Sequence, residues 1–489
     1  MKLNEQDEAT ATAATLLIDG AWREAASGQT FASLNPADER VIGHVSAGDA
    51  RDVDAAVAAA RAAFEERRWL SLPPPQRARI LHAVADRIEM ELDTLAENEV
   101  RENGMPLTMA RATIGGGAQA FRYFAGWIGK IHGQTGEMAQ GEQYFGYTLK
   151  EPVGVAALIV PWNGPFMMAC HKLAPALAAG CTTVLKPAED TSLNTLNLVR
   201  IVLDAGVPAG VVNLVTGLGS VAGAALVAHP DVDKVSFTGS TPVGRQIVQA
   251  AAGNFKRVTL ELGGKSPVIV LDDADLALAV PAVLNGIMAN SGQACVAGSR
   301  LYAQRGIYDR LIAAVAEAAG KLVIGDGLSA GTQMGPVISA KQFERVMGYI
   351  EGGVAEGAEL VSGGKRRGET GFFIEPTIFS HAPHDATVMR EEIFGPVLSA
   401  TPFDDLGWAI AQANDTRYGL AGAVYTRSLE KAHTVARAVR AGNLWINCYS
   451  VQDFSLPFGG YKESGWGRER GAMGLEAFME NKSVVARLY

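Results

Sequence analysis

Cysteine is scarce in this chain: four in 489 residues, at positions 170, 181, 295 and 448, none in a CxxC or Cys/His spacing. That argues against a disulfide framework and a cysteine-ligated metal site, and it suits a reducing, cytoplasmic compartment. Clustered positive charge is also missing, since 43 Lys and Arg stand against 52 Asp and Glu for a formal net charge of −9. The short basic runs, Arg67-Arg68 behind two glutamates and Lys365-Arg366-Arg367 among glycines, read as solvated surface, so neither nucleic acid nor an anionic membrane has an electrostatic footprint. The longest apolar run, around Val153 to Pro161, falls well short of the roughly 20 residues that cross a bilayer. Met1 to Gly20 lacks the basic and apolar segments of a secretory signal.

What is present is a globular composition, 48% hydrophobic and 19% charged, in a chain long enough for two or three domains. Glycine, at 55 residues, exceeds the roughly 7% average usage and fits tight turns and close backbone approaches to a ligand.

Asp52 to Phe64 and Arg77 to Val100 repeat apolar residues at helical spacing. After Gly154 strands and helices alternate. Val155 to Val160 reads as a buried strand stopping at Pro161, Phe166 to Ala179 as a helix, and Thr182 to Leu185 as a strand. Ser192 to Leu203 (helix), Val211 to Val215 (strand), Val221 to Ala228 (helix) and Val235 to Phe237 (strand) continue the pattern. A second alternating region opens with a strand at Val268 to Val270, a helix at Leu276 to Ala289 and a loop carrying Cys295. Alternation of this kind predicts an α/β fold with parallel sheets. Gly217-Leu218-Gly219 and Gly239-Ser240 fall at strand-to-helix junctions, where backbone amides meet anionic ligands, yet neither completes GxGxxG.

Chemistry concentrates at Cys295, closing Asn290-Ser291-Gly292-Gln293-Ala294-Cys295, and at Glu261 in Leu260-Glu261-Leu262-Gly263-Gly264-Lys265. The polar, glycine-containing turn suits an accessible nucleophile, whereas Cys170, Cys181 and Cys448 read as packing residues. A thiol with an ordinary pKa of about 8.5 needs activation, and Glu261 is placed either to activate it or to activate water. These segments, with Pro161-Trp162-Asn163, Phe237-Thr238-Gly239-Ser240, Glu391-Glu392-Ile393-Phe394-Gly395-Pro396 and Pro457-Phe458-Gly459-Gly460, resemble the aldehyde dehydrogenase superfamily in order and approximate spacing over nearly the whole chain.

The resemblance implies an atypical Rossmann-like NAD-binding domain (1–132 and 152–263), an α/β catalytic domain (264–463), and a small β bridging segment (133–151 and 472–489) that makes a homodimer or homotetramer. It implies that Cys295 adds to an aldehyde, that the amides of Asn163 and of the Cys295 backbone hold the resulting oxyanion, and that Glu261 activates water against a thioester. Lys172 and Glu469 match positions linked to proton transfer or to support of that base. For the cofactor, Lys186 and Glu189 match contacts to the adenine-side ribose, Ser240 a pyrophosphate contact, and Glu392 and Phe394 a nicotinamide-side clamp. Pro161, Trp162, Gly219, Phe237, Gly239 and Leu262 complete the implied cofactor set. A carboxylate at Glu189 would accept ribose hydroxyls and repel an added phosphate, so NAD is expected over NADP.

Phe166, Met167, His171, Val296, Phe454 and Phe458 match substrate-tunnel positions. With no arginine among them, the resemblance implies an uncharged aliphatic or aromatic aldehyde, as in aryl-aldehyde members such as phenylacetaldehyde dehydrogenase. Gly164 and His171 depart from a bulkier apolar residue and a frequent tryptophan, which leaves the exact substrate open. Three alternatives stay open as well: a coenzyme A acylating enzyme of the same fold, which Glu261 opposes; a structural protein that has lost catalysis; and a cofactor-free thiol hydrolase.

Overall fold

The computed structural model describes residues 15–488. Most of the reading of Met1 to Gly20 therefore lies outside the described residues. Two large sheets carry the chain. In the first, the strands run in the order Gly465–Trp466, Arg257–Glu261, Lys234–Thr238, Val155–Ile159, Thr182–Lys186, Val212–Leu214, Leu16–Ile18 and Ala21–Arg23. The five central strands are parallel, and antiparallel strands cap both edges. All their residues except Arg257 and Val258 are buried because helices cover both faces, the condition a parallel sheet requires.

The second sheet runs Glu359–Ser362, Thr377–Ser380, Val397–Phe403, Arg300–Gln304, Pro267–Val270, Ala421–Tyr425 and Asn443–Ile446, parallel except at its first pair. A third, antiparallel sheet joins Met479–Arg487 to Tyr144–Pro152 and Thr135–Gly136. The alternation expected between Val155 and Val270 is present with ends shifted by a residue or two.

Two expectations need correction. The helical stretch from Arg77 to Val100 is two helices, Pro74–Met90 and Leu92–Asn103, meeting at Glu91, because its apolar spacing continues across a residue whose backbone leaves helical geometry. Cys448 is half-buried at the margin of the second core, unlike the fully buried Cys170 and Cys181. Among the described residues no helix is long and apolar enough to cross a membrane, and no His/Cys/Asp/Glu group is arranged to hold a metal ion.

Candidate active site

The carboxyl ends of the first sheet's parallel strands supply one side of the site, where open α/β sheets collect their ligands, and segments entering the amino ends of second-sheet strands supply the other. Val155–Ile159 leads to Trp162 and Asn163; Pro165 then opens the helix Pro165–Ala179, where a missing backbone donor is harmless. Arg257–Glu261 ends on Glu261, and the turn before Cys295 forms because Asn290, Ser291 and Gly292 all take left-handed backbone angles, φ 49°, 55° and 74°.

The two glycines after Glu261 have a steric reason. A Cβ on Gly264 would overlap the backbone carbonyl of Cys295, and one on Gly263 would overlap the carboxylate of Glu392. Only glycine lets the strand end, the nucleophile loop and the Glu392 segment approach this closely.

Asn163 is tied to the Cys295 loop twice. Its Nδ2 donates to the Gln293 carbonyl at 2.8 Å, and its own carbonyl accepts from Asn290 Nδ2 at 2.8 Å. One N–H of the Asn163 amide is committed in this way, leaving the other for an oxyanion. The backbone amides of Val296 and Cys295 act to lower the pKa of the Cys295 thiol. That thiol is half-buried and pushed up to about 12, first by burial and then by the charges of Glu392 and Glu261.

Glu261 is 2% exposed, and neither carboxylate oxygen has a hydrogen-bond partner. Burial first, and then the negative charge of Glu469, pushes its carboxyl well above the usual range, while Lys172 pulls the other way. Behind it Lys172 Nζ forms an ion pair with Glu469 Oε1 and donates to Ser236 Oγ at 3.0 Å. Glu469 is fixed by a backbone bridge to Phe458. Cys295, Glu261, Asn163, Lys172 and Glu469 are thus gathered into one region from four separate stretches of chain.

The residues expected at the cofactor also lie at strand ends. Lys186 Nζ sits 3.5 Å from Glu189 Oε2, and the Glu189 oxygens reach within 3.8–3.9 Å of where a Cβ on Gly219 would lie. Leu218, Val221 and Val243 leave apolar side chains 44%, 45% and 40% exposed beside this pair. Exposed Ser240 precedes the helix Thr241–Ala251 without capping it through its side chain. A carboxylate and an ammonium for ribose hydroxyls, an apolar shelf for adenine and free helix amides for phosphate fit a dinucleotide. Toward Cys295, Glu392 accepts from the Gly264 amide at 2.8 Å and is pushed up to about 7, chiefly by burial. The Phe394 ring meets Trp162 edge to face at 5.2 Å, beside half-buried Pro161, and Phe394 takes φ 60°. Phe237 and Leu262 are buried beneath Gly239 and Gly244, which leaves only their backbone for a ligand.

The substrate positions divide. Met167, Phe454 and Phe458 are half-buried, and His171 meets Phe454 edge to face at 5.1 Å. Val296 is buried, its carbonyl accepting from Tyr449 Oη at 2.6 Å. Phe166 is fully buried against Gly117, so it supports the wall from behind and does not line it, because its helix turns that position toward the core. Behind two of these rings lies an arginine that the set does not include: the Arg470 guanidinium lies over both the Phe454 and Phe458 rings, 5.5 and 5.1 Å from their centroids. Its position next to Glu469 in sequence was visible, but nothing local marked its direction.

A model described as the aldehyde dehydrogenase family matches residues 22–484. Aldehyde dehydrogenase family 2 member C4 of Arabidopsis thaliana is 46% identical over 476 residues, covering 97% of this chain and 95% of that protein. An aldehyde dehydrogenase of Aspergillus niger is 46% identical over 474 residues, with the same coverage. Among solved structures, an NAD+ complex of an aldehyde dehydrogenase from Bacillus cereus superposes with TM-score 0.97 at 44% identity over 100% of both chains. Betaine aldehyde dehydrogenase from Staphylococcus aureus in complex with NAD+ superposes with TM-score 0.95 at 39% identity, covering 97% of this chain and 95% of that one. Matches of this length and depth, on a fold whose strand ends gather the same motifs, establish that the chain belongs to the aldehyde dehydrogenase family.

Proposed function

We propose that this NAD-dependent aldehyde dehydrogenase oxidises its aldehyde to the free carboxylic acid through a Cys295 thioester that Glu261 hydrolyses. The Cys295 thiol gives its proton to water, its sulfur adds to the aldehyde carbon as the carbonyl π bond opens, and the second N–H of Asn163 with the Cys295 amide holds the oxygen as it becomes negative. Bound NAD supplies a hydride acceptor, taking the aldehyde hydrogen with its electron pair. The acyl group then remains on sulfur, Glu261 takes a proton from water, and the water oxygen displaces the thiolate to release the acid. Lys172 and Glu469 hold or pass the proton behind Glu261.

One observation carries the reading: a buried carboxylate with both oxygens unpartnered stands beside a cysteine whose thiol its charge perturbs. Buried polar atoms are rarely left unsatisfied, so a water at Glu261 answers both the structural deficit and the chemistry. The same feature disfavours transfer of the acyl group to coenzyme A, which needs no such base.

The division of the chain at 1–132 with 152–263, 264–463, and 133–151 with 472–489 follows the same reading, as does a homodimer or homotetramer. The long edge strand Met479–Arg487, with Val485 57% exposed, supports pairing with a second copy. Four free cysteines support a reducing, cytoplasmic compartment. Half-buried Met167, Phe454 and Phe458 support an aldehyde with an apolar or aromatic body. The test is an aldehyde panel with NAD and NADP beside Cys295→Ala. NADH formation is expected in the wild type and none in the variant, with folding stability changed by less than about 1 kcal/mol. Undiminished turnover without the sulfur would end the proposal.

A further inference from the structure

Arg470 is an anomaly that the reaction leaves unused. It is 7% exposed, its guanidinium lies over the Phe454 and Phe458 rings, and it forms no hydrogen bond or ion pair among the described side chains. The neighbouring Glu469 carboxylate is instead engaged by Lys172. Aromatic rings can satisfy the faces of a guanidinium, but its five N–H donors lie in its plane and need acceptors. None of those donors is sealed from solvent without a partner, so they are open to the acceptors of a ligand.

The backbone adds an independent sign. Arg470 has φ 60° and ψ 174°, a region essentially reserved for glycine that costs a branched backbone about 1–3 kcal/mol. Strain of this kind is kept where a side chain must be aimed. His171, whose Nε2 is buried and unpartnered, meets the same Phe454 ring and feels the Arg470 charge. Arg470 and His171 also line one recess, whose wall includes Lys172 and Glu469. Arg470 is close enough to Cys295 and Glu261 to interact with both electrostatically.

We propose that Arg470 is a specificity-determining residue that binds a carboxylate carried by the aldehyde substrate, so that the preferred substrates are oxo acids with an apolar or aromatic body. This rests on the function proposed above and names its substrate class. The body lies against Phe454 and Phe458 while the carboxylate takes the in-plane donors of Arg470, a charge-assisted and often bidentate pairing. The aldehyde end remains at Cys295, and the chemistry there is unchanged.

The experiment compares isosteric pairs, hexanal with 6-oxohexanoate and benzaldehyde with 3- and 4-carboxybenzaldehyde, in wild type, Arg470→Leu and Arg470→Lys. A hydrogen bond to a charged group leads us to expect at least one carboxylated member to exceed its neutral partner in kcat/KM by about ten- to a hundredfold in wild type. The gain should reside in KM. In Arg470→Leu the ratio of carboxylated to neutral kcat/KM falls by a similar factor, and Arg470→Lys recovers part of it. A wild-type ratio at or below one for every pair overturns the proposal, and this holds even where Arg470→Leu fails to fold. An unchanged ratio with a displaced pH profile also overturns it, by making Arg470 an electrostatic neighbour of Glu261 instead. Absence of NADH formation with every aldehyde would fail the function itself, an outcome distinct from failure of the specificity.

Discussion

Replacing Glu261 by Gln separates the two halves of the proposed reaction. The amide keeps the size of the buried carboxyl and the neutral charge of its protonated form, but it cannot accept a proton from water. Addition at Cys295 and hydride loss proceed without it, and the thioester then accumulates. Mixing Glu261→Gln enzyme with NAD and aldehyde in a stopped-flow absorbance assay should give a burst of one NADH per subunit. Turnover after the burst should be slower than wild type by about 10²- to 10⁴-fold, the usual share of a general base, or roughly 3–5 kcal/mol of barrier. Steady turnover at the wild-type rate would refute the role. Loss of the burst together with turnover would place Glu261 in thiol activation, the other role its sequence position allows.

The same group fixes a pH dependence. Burial, followed by the charge of Glu469, raises the Glu261 carboxyl in the folded protein. The charged base therefore becomes more populated as pH rises, and wild-type hydrolysis should climb toward alkaline pH along a limb that Glu261→Gln lacks. For stability the sign is opposite. The folded state holds this proton at pH values where the unfolded chain, with its ordinary glutamate pKa of about 4.3, has released it, so stability falls as pH rises above that value. Glu261→Gln avoids the loss, and its advantage in thermal melting over wild type should grow from pH 5 to pH 8.

Other perturbations address the remaining groups. Asn163→Ala removes one oxyanion donor and should lower kcat by about 10²- to 10³-fold, measured in single turnover with NAD and aldehyde saturating. Lys172→Met strands the buried Glu469 carboxylate and should destabilise the fold by about 3–5 kcal/mol in denaturant titration. A loss below about 1 kcal/mol would show that this pair is not desolvated. Glu189→Gln removes the charge that the family resemblance implies at the adenine-side ribose and should raise the NADP-to-NAD ratio of kcat/KM by about tenfold, equal to roughly 1.4 kcal/mol of relieved repulsion. An unchanged ratio would remove Glu189 from cofactor selection.

Much of this arrangement is legible in the sequence because its signals are local. Buried strands such as Val155–Ile159 and Thr182–Lys186 are short segments between glycine and proline, and a polar residue, Asn163 or Glu189, follows within four residues of each end. The break at Glu91 has no such mark, since helical spacing persists through it and the neighbouring packing decides the kink. The short edge strand Gly465–Trp466 escapes for a related reason: it pairs only with Arg257–Glu261, far away in sequence. Phe166 and Arg470 show the limit for side chains. Both occupy positions next to the chemistry, yet one turns into the core and the other lies across two rings, and those directions depend on helix phase and on a single positive φ.

The charge arrangement around the nucleophile is similarly a property of assembled parts. Cys295 stands in the second sheet's connections, Glu261 ends a strand of the first, and Glu392 arrives on a third segment, each alone unremarkable in charge. With these parts brought together through Gly263 and Gly264, burial of the thiol first and then the charges of Glu392 and Glu261 hold it far toward its protonated form. Glu392 is the larger of those two charges and, by the family resemblance, the group implied to hold ribose hydroxyls. A ligand that engages its carboxylate must therefore alter the reactivity of Cys295 as well, so cofactor binding and thiol activation are linked through one side chain. Gly264 makes that linkage possible sterically: its amide donates to Glu392 while its missing side chain admits the Cys295 carbonyl, so a single residue sets the spacing of both groups.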